Sequence, residues 1–249
     1  MENNELLRRA EDLLERCGRT STLTHTNFLT PAERFQMERW AKTAADCRLL
    51  FQGGAADCER TVGFFLPEYL EEEHFAPEEY LCALRLTAHF GSPGHRDYMG
   101  ALLGMGIGRE WLGDIWVQDN SALIFCLPSV KKHLLSIEKV GRFGVTAEEI
   151  ALDSVPPRQR KVKEKSFSVM SMRLDAVTAG MFDLSRTEAA RQISAGNVSI
   201  NYSQSDKTDC AVSPGDIVSL RGAGKGQVTG TGGTSRKGRL FVYAEIYLS

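Results

Sequence analysis

Three arginines, Arg173, Arg186 and Arg191, are the side chains whose type and spacing best suit a chemical task in this chain. A guanidinium group is planar, permanently charged and carries five N–H donors, so it can bind two phosphate oxygens at once. Charge-assisted hydrogen bonds of this kind are stronger than neutral ones. The arginines therefore predict a surface that binds a polyanion.

The residues around these arginines predict the elements that would position them. Ser185 followed three residues later by Glu188 is the pattern of a capping box at the start of a helix. Gly196 is placed to end that helix. Alternating apolar residues at 198–202 predict a half-buried strand, and residues 214–220 predict a turn and a second strand. We expect this framework to leave the three arginines unpaired near one surface.

The same residues resemble a known RNA-binding module. Arg-Leu-Asp at 173–175, Ser-Arg-x-x-Ala-x-x-x-Ile at 185–193, Gly-x-Val-x-Ile-Asn at 196–201 and Pro-Gly-Asp at 214–216 are similar in order and spacing to the S4 domain. That family usually has glycine after the asparagine, where this chain has Tyr202. The resemblance implies an αL-like RNA-binding domain over residues 172–249, including a basic glycine-rich extension.

The extension begins at Arg221-Gly-Ala-Gly-Lys225 and continues to Ser235-Arg-Lys-Gly-Arg239. A flexible glycine-rich loop with basic ends can follow a phosphate backbone through its amides and side chains. It lacks the spacing of a Walker loop. The RNA contacts that we predict for the whole domain are Arg173, Ser185, Arg186, Thr187, Arg191, Gln192, Lys225, Arg236, Lys237 and Arg239.

The charge of the chain is distributed unevenly. From Arg158 to Ser249 there are fourteen lysines and arginines against eight acids, a balance of +6, although the whole chain has a net charge of −2. A basic C-terminal part on an acidic body is the charge pattern of a protein that binds nucleic acid with one region.

Residues 1–76 are predicted to be a helical N-terminal region. Apolar residues at helical spacing indicate one helix over residues 5–17. Thr30-Pro31-Ala32-Glu33 has the N-cap, first-turn proline and glutamate of a second helix, which we expect to run to about Leu50. Residues 55–60 could form a further short helix.

Residues 77–153 alternate between strand and helix patterns in the order β-α-β-β-α-β. This order is typical of the ferredoxin-like unit, to which RNA-recognition domains belong, so the predicted fold class of the chain is α+β. An RNA-recognition domain stacks bases on aromatic residues of a basic central strand. The corresponding strand here, residues 122–127, has one aromatic residue and no charge, so we interpret it as a core strand.

The segment His95-Arg-Asp-Tyr-Met-Gly-Ala-Leu-Leu-Gly-Met-Gly-Ile107, with Gly113-Asp-Ile115 downstream, stands apart from these patterns. Its first three residues could suggest acid–base chemistry. The favoured interpretation is the first turn of a helix with Arg96 available for phosphate or a carboxylate. The segment resembles the YlmH-type S4 proteins, and the resemblance extends from about residue 25 to the C-terminus. It implies association with the large ribosomal subunit and with tRNA in stalled-ribosome quality control.

Residues 154–171 are predicted to be a basic linker, because two prolines and five cations occur there without apolar periodicity. The cations could serve a solvated tether or contact phosphate directly.

Other features exclude some classes of protein. No apolar run approaches the roughly 20 residues of a membrane span, and the acidic N-terminus lacks the pattern of a signal peptide, so we expect a cytoplasmic protein without a membrane partner. The six scattered cysteines lack the close spacing of zinc ligands, and we predict reduced thiols with neither metal nor cofactor.

Three functional hypotheses follow. The favoured one is a non-catalytic protein that binds structured rRNA or tRNA on the large ribosomal subunit, with no DNA partner expected. The second is an RNA-modifying enzyme, because S4 domains accompany pseudouridine synthases, whose catalytic aspartate lies in a motif like Arg173-Leu-Asp175. Within an S4 helix, however, Asp175 is better interpreted as the partner of a cation. The third is a protein-interaction scaffold that the S4 domain anchors to RNA.

Overall fold

The computed structural model describes residues 2–158, 162–235 and 237–247. The chain divides into two units, Met1–Arg158 and Gln159–Ser249. Each unit mixes helices with antiparallel sheet, as expected for the α+β class. None of the described helices is long and apolar enough to cross a membrane.

The first unit begins with two helices and a small sheet. Its elements are α1 Glu2–Thr20, β1 Thr24–Leu29, α2 Pro31–Ala41, β2 Leu49–Gln52 and β3 Thr61–Phe65. The strands pair antiparallel in the order β1-β3-β2. The prediction of an all-helical region is therefore wrong for residues 24–29, 49–52 and 61–65, and no helix forms at 55–60.

Strand β1 shows why the sequence pattern did not predict this sheet. The inward positions of β1 include Thr24 and Thr26, which are 6% and 4% exposed. The Thr24 hydroxyl donates to the Leu13 carbonyl over 2.8 Å, and the Thr26 oxygen accepts from Gly63 N–H over 2.9 Å. Because hydrogen-bonded threonines replace apolar residues on the buried face, the alternation of hydrophobicity is lost.

The rest of the first unit forms around a larger sheet. Its elements are β4 Cys82–Ala88, α3 His95–Gly104, β5 Leu112–Gln118, β6 Ser121–Cys126, α4 Pro128–Leu134, β7 Lys139–Val140 and β8 Phe143–Ile150. The strands pair antiparallel in the order β5-β6-β4-β8-β7. The predicted succession of elements is present, and the short strand β7 is added to it.

Both faces of this larger sheet pack against other elements. One face packs with α3 and α4 through residues such as Leu102, Ile124 and Leu134. The other packs against the three-stranded sheet through Phe64, Phe125 and their neighbours. Because Ile124 and Phe125 are consecutive in β6 and both fully buried, the strand is apolar on both faces. It is a core strand, as predicted.

The second unit is a six-stranded sheet with two helices. Its elements are β9 Val162–Val169, α5 Leu174–Met181, α6 Arg186–Ser194, β10 Val198–Ile200, β11 Ser203–Gln204, β12 Ile217–Leu220, β13 Gly224–Thr234 and β14 Leu240–Tyr247. The strand order is β11-β10-β12-β13-β14-β9, antiparallel throughout. The helices pack on it through a core that includes Val177, Ile193 and Val242.

The predicted linker is partly wrong. Residues 162–169 form β9, which pairs along its whole length with β14. Phe167 and Val169 face the core, whereas the outer half of the strand is exposed and polar. A strand at a sheet edge needs few apolar residues. Because lysines and serines occupy most of β9, the two-residue hydrophobic period that identifies a strand is not visible in its sequence.

Candidate nucleic-acid interface

The start of α6 is built as a helix cap. Ser185 adopts extended dihedrals, φ −67° and ψ 153°, and its hydroxyl oxygen accepts from the Glu188 N–H over 3.1 Å. The reciprocal half of the predicted capping box is not made, because the Glu188 carboxylate binds other side chains of the same helix. The predicted N-cap is confirmed, and it sets the residue at which α6 begins.

The end of α6 is also set by its sequence. Gly196 has a φ of +70°, a left-handed conformation that glycine adopts without strain. Its N–H donates to the Ile193 carbonyl over 2.8 Å, and the Asn197 N–H donates to the Gln192 carbonyl over 2.9 Å. This is a Schellman motif, so the prediction that Gly196 ends the helix is confirmed.

Arg173 and Arg186 share one carboxylate. Arg173, the N-cap residue of α5, donates from Nε to Asp175 Oδ1 over 3.2 Å. Arg186, the first residue of α6, donates from Nε to Asp175 Oδ2 over 3.0 Å. Second contacts of 3.4 Å from each guanidinium complete the pair of forks. Asp175 is thus the partner of cations that its position in a helix predicted.

This shared carboxylate is buried, but the arginines are not. The Asp175 side chain is 7% exposed, compared with 39% for Arg173 and 55% for Arg186. Burial raises the pKa of the Asp175 carboxyl, but the hydrogen bonds and charges of both arginines outweigh it, so that this pKa lies below its ordinary value. Asp175 is therefore charged at neutral pH and balances one of the two cations, which leaves one positive charge in a fixed and accessible place.

The third arginine is paired on the surface of α6. Arg191 donates from Nη2 to Glu188 Oε1 over 2.7 Å and from Nε to Oε2 over 2.9 Å. The hydrogen bonds from Arg191 and Gln192 lower the pKa of Glu188 to about 2. The expectation of unpaired arginines is therefore wrong for all three, because each has an acid within three residues or across the α5–α6 contact.

Thr187 and Gln192 lie on the same helix. Thr187 is exposed. Gln192 donates to Glu188 Oε1 over 2.7 Å and accepts from the Asn197 side-chain amide over 2.8 Å. Gln192 thus links the paired arginine to the end of the helix. Together with Ser185, these residues give α6 a polar outer face beside its arginines.

The predicted cations of the extension do not gather at one place. Lys225 lies at the start of β13, with its ammonium 5.5 Å from the ring centroid of Tyr247. Arg239 lies just beyond the other end of the same ladder, where its guanidinium donates to the Ser168 carbonyl over 2.8 Å. The length of β13 between them is roughly 30 Å. Lys237 is exposed near Arg239, and Arg236 lies outside the described residues.

Lys165 is a cation that the sequence did not single out. Its ammonium lies 2.6 Å from Asp183 Oδ2 and donates to the Met181 carbonyl at the end of α5 over 3.0 Å. The contact lowers the pKa of Asp183. The sequence signal that could have identified Lys165 is its spacing of two and four residues from Phe167 and Val169. This spacing places the lysine on the same, inner face of a strand.

Metal binding finds no support in the described ranges, where no group of three histidine, cysteine, aspartate or glutamate side chains could hold an ion. The six cysteines are free, and four of them are buried. Burial raises the pKa of the Cys58 thiol to about 12, so this thiol is protonated at neutral pH.

Comparisons with known proteins agree with this architecture. Residues 71–154 match the family described as "Putative RNA-binding domain in YlmH". The ribosome-associated protein quality control protein P2 of Bacillus subtilis is 30% identical over 213 residues, which cover 85% of this chain and 82% of the relative. The cell division protein ylmH of Streptococcus pneumoniae has a similar fold, with a TM-score of 0.52 at 19% identity over 61% of this chain and 93% of that one. The chain belongs to the YlmH-type family.

Proposed function

We propose that this protein binds RNA as a ribosome-associated factor and that the polar face of α5 and α6 is its principal RNA contact. The Bacillus relative is named as ribosome-associated. The matched RNA-binding domain covers residues 71–154 in the first unit, so it supports RNA binding by the chain but does not bear on the α5–α6 face. The finer role that we propose is recognition of structured rRNA and tRNA on the large subunit of stalled ribosomes. Such a role places the protein in the cytoplasm.

One observation carries this proposal: two arginines from different helices are held on one buried carboxylate while remaining accessible. Each guanidinium uses two of its N–H directions on Asp175 and keeps further donors. Anchored arginines lose less conformational entropy on binding than free ones. A rigid cationic surface suits A-form RNA, whose backbone is recognised by shape and phosphate position rather than by base edges.

We further propose that residues 77–153 form a ferredoxin-like body within the first unit and that residues 172–249 form an S4 domain within the second. The order β5-β6-β4-β8 with helices after β4 and β6 supports the first assignment. The capped helix α6, the hairpin of β10 with β11 and the turn before β12 support the second. The latter elements occur at the positions that the S4 resemblance implied.

A non-catalytic role is part of the proposal. The aspartate of a pseudouridine synthase must reach its substrate, whereas the Asp175 side chain is 7% exposed and engaged by two arginines. These contacts support a structural role for the Arg173-Leu-Asp175 tripeptide. Incubation of the protein with RNA, followed by nucleoside analysis, is expected to show no modified base.

Sedimentation with ribosomal subunits tests the RNA contact. The double variant Arg186→Glu/Arg191→Glu is expected to lose association, because two exposed cations of α6 become anions that repel phosphate. The matched control Arg16→Glu/Arg19→Glu makes the same change at exposed positions of α1 and is expected to bind normally. Wild-type binding should weaken steeply between low and physiological salt as counterions are released. Unchanged co-sedimentation of the first variant contradicts the proposal.

Because Arg186 also contacts a buried acid, the double variant needs a folding check. Its circular dichroism spectrum and urea midpoint are compared with those of Arg191→Glu alone, whose side chain is 71% exposed and whose described partner is Glu188. A partial loss of binding in Arg191→Glu, with an unchanged fold, separates a lost contact from an unfolded domain.

A further inference from the structure

The N-terminal unit contains a cleft of about 340 Å³ that the proposed function does not use. Its lining includes His95, Gly113 and Asp114 from the segment whose sequence pattern remained without a role, and Arg109 from the stretch between its two parts. The volume lies in the range of small-ligand sites, roughly 300–1,000 Å³. The cleft therefore gathers an otherwise unexplained motif around a space of ligand size.

Cations converge on this cleft from three parts of the unit. Arg60 is held by the carbonyl oxygens of Phe28, Arg109 and Leu112 at 3.1, 2.9 and 2.9 Å. Burial and then the charge of Arg109 lower the pKa of Arg60, while the charges of nearby acids act in the opposite direction. Arg60 and Arg109 thus lie close together beside an open space.

The Arg109 side chain is the accessible member of this pair. It is exposed, and within the described part of the chain it makes neither a hydrogen bond nor an ion pair. His95, the first residue of α3, is also exposed at the cleft.

The acids at the cleft are largely engaged by the protein. Asp114 accepts from the N–H groups of Glu59 and Arg60 over 2.9 and 3.1 Å and from Trp116 Nε1 over 3.2 Å. Its side chain is 9% exposed and lies 3.8 Å from the guanidinium of Arg158, which also rests over the Trp116 ring. Asp114 thus positions the wall and Arg158, while Glu59 is the other acid in the lining.

We propose that this cleft binds the phosphate of a single nucleotide. Arg109, Arg158 and His95 contact the phosphate, and Met99 with Ile115 forms the apolar wall for the sugar or base. This site adds a second RNA contact to the proposed function. It rests on that function only for the expectation that the nucleotide belongs to an RNA chain. A free mononucleotide offers the same chemistry.

Calorimetric titration of the full-length protein tests the cleft. The probes are adenosine 5′-monophosphate, adenosine and inorganic phosphate. We expect the monophosphate to bind and adenosine to bind far more weakly, and we expect Arg109→Ala to reduce affinity about tenfold through loss of a charge-assisted hydrogen bond. Arg16→Ala removes the same charge from an exposed position on α1 and is expected to have no effect.

A second titration identifies the source of the nucleotide. A short single-stranded RNA is added to the Arg186→Glu/Arg191→Glu protein, in which the proposed helical contact is disabled. If Arg109→Ala weakens the binding of this RNA, the cleft binds RNA. If Arg109→Ala weakens only the binding of the monophosphate, the cleft binds a free nucleotide. Three results overturn the proposal. They are equal binding of adenosine and its monophosphate, no binding of any probe, and an Arg109→Ala protein that binds as wild type does. None of these results depends on ribosome sedimentation, so failure of the two proposals is distinguishable.

Discussion

The Nε of Arg186 lies 3.0 Å from Oδ2 of Asp175 and joins the first turns of α5 and α6. These residues are eleven positions apart, so the contact depends on the crossing of the two helices. It makes the placement of a surface cation a consequence of folding. A substitution at Asp175 therefore changes both the stability of the second unit and the arrangement of its proposed RNA contact.

Replacement of Asp175 by asparagine is expected to destabilise the protein by about 2 kcal/mol. The shape is kept, but Arg173 and Arg186 lose their shared negative partner and repel one another. Their partial exposure limits the cost, because water screens the remaining charges. Urea unfolding measures the effect, and ribosome sedimentation should show weaker association than in wild type.

The exposed Asp206 supplies the control for this substitution. Asp206→Asn removes the same charge in the same unit without touching the arginine pair. We expect wild-type stability and association from it. An Asp175→Asn protein as stable as Asp206→Asn contradicts the structural role of the shared carboxylate.

Acid is expected to remove the contribution of Glu188 to stability. Hydrogen bonds from Arg191 and Gln192 hold the pKa of Glu188 at about 2 in the folded protein. The pKa of a glutamate in an unfolded chain is about 4.3. The contribution is therefore fully present above the unfolded pKa and is lost as the pH falls towards the folded one. Urea midpoints at successive pH values should show the gap between wild type and Glu188→Gln closing across this interval. A gap of constant size contradicts the assignment.

Local signals predicted the framework of the candidate site well. Ser185 and Gly196 act on backbone groups within three or four residues of themselves, so the bounds of α6 follow from its own sequence. The pairing of Arg186 could not be derived in this way. It requires the relative position of α5 and α6, which sequence periodicity does not contain.

The errors in the fold have a related cause. Thr24 and Thr26 are buried through hydrogen bonds to α1 and β3, which are made only after those elements assemble. β9 is an edge strand whose outer residues stay polar. Hydrophobic alternation identifies strands that bury one apolar face, and neither strand does so along its whole length.

The hairpin between β10 and β11 contains strain that a single substitution should relieve. Its two-residue loop has positive φ at Asn201 and Tyr202, 47° and 65°. These values suit a type I′ turn, in which glycine is preferred at the second position. Because Tyr202 has an interaction that any truncation of its side chain removes, the strain is measured between two truncated variants. Tyr202→Gly is expected to be more stable than Tyr202→Ala by about 1 kcal/mol in urea unfolding, since both lack the ring and only alanine keeps Cβ. Equal stability of the two variants contradicts the presence of strain.

The start of the second unit can be located by truncation. A fragment of residues 172–249 lacks β9 and leaves the β14 edge unpaired, with Phe241 and Tyr243 already 40% and 48% exposed. It also lacks Lys165, which caps the end of α5. We expect this fragment to aggregate or unfold, whereas residues 159–249 should fold cooperatively, because an unprotected edge strand recruits other chains. Circular dichroism and gel filtration compare the two fragments. A soluble, cooperatively unfolding 172–249 fragment shows that β9 is dispensable for folding and contradicts this prediction.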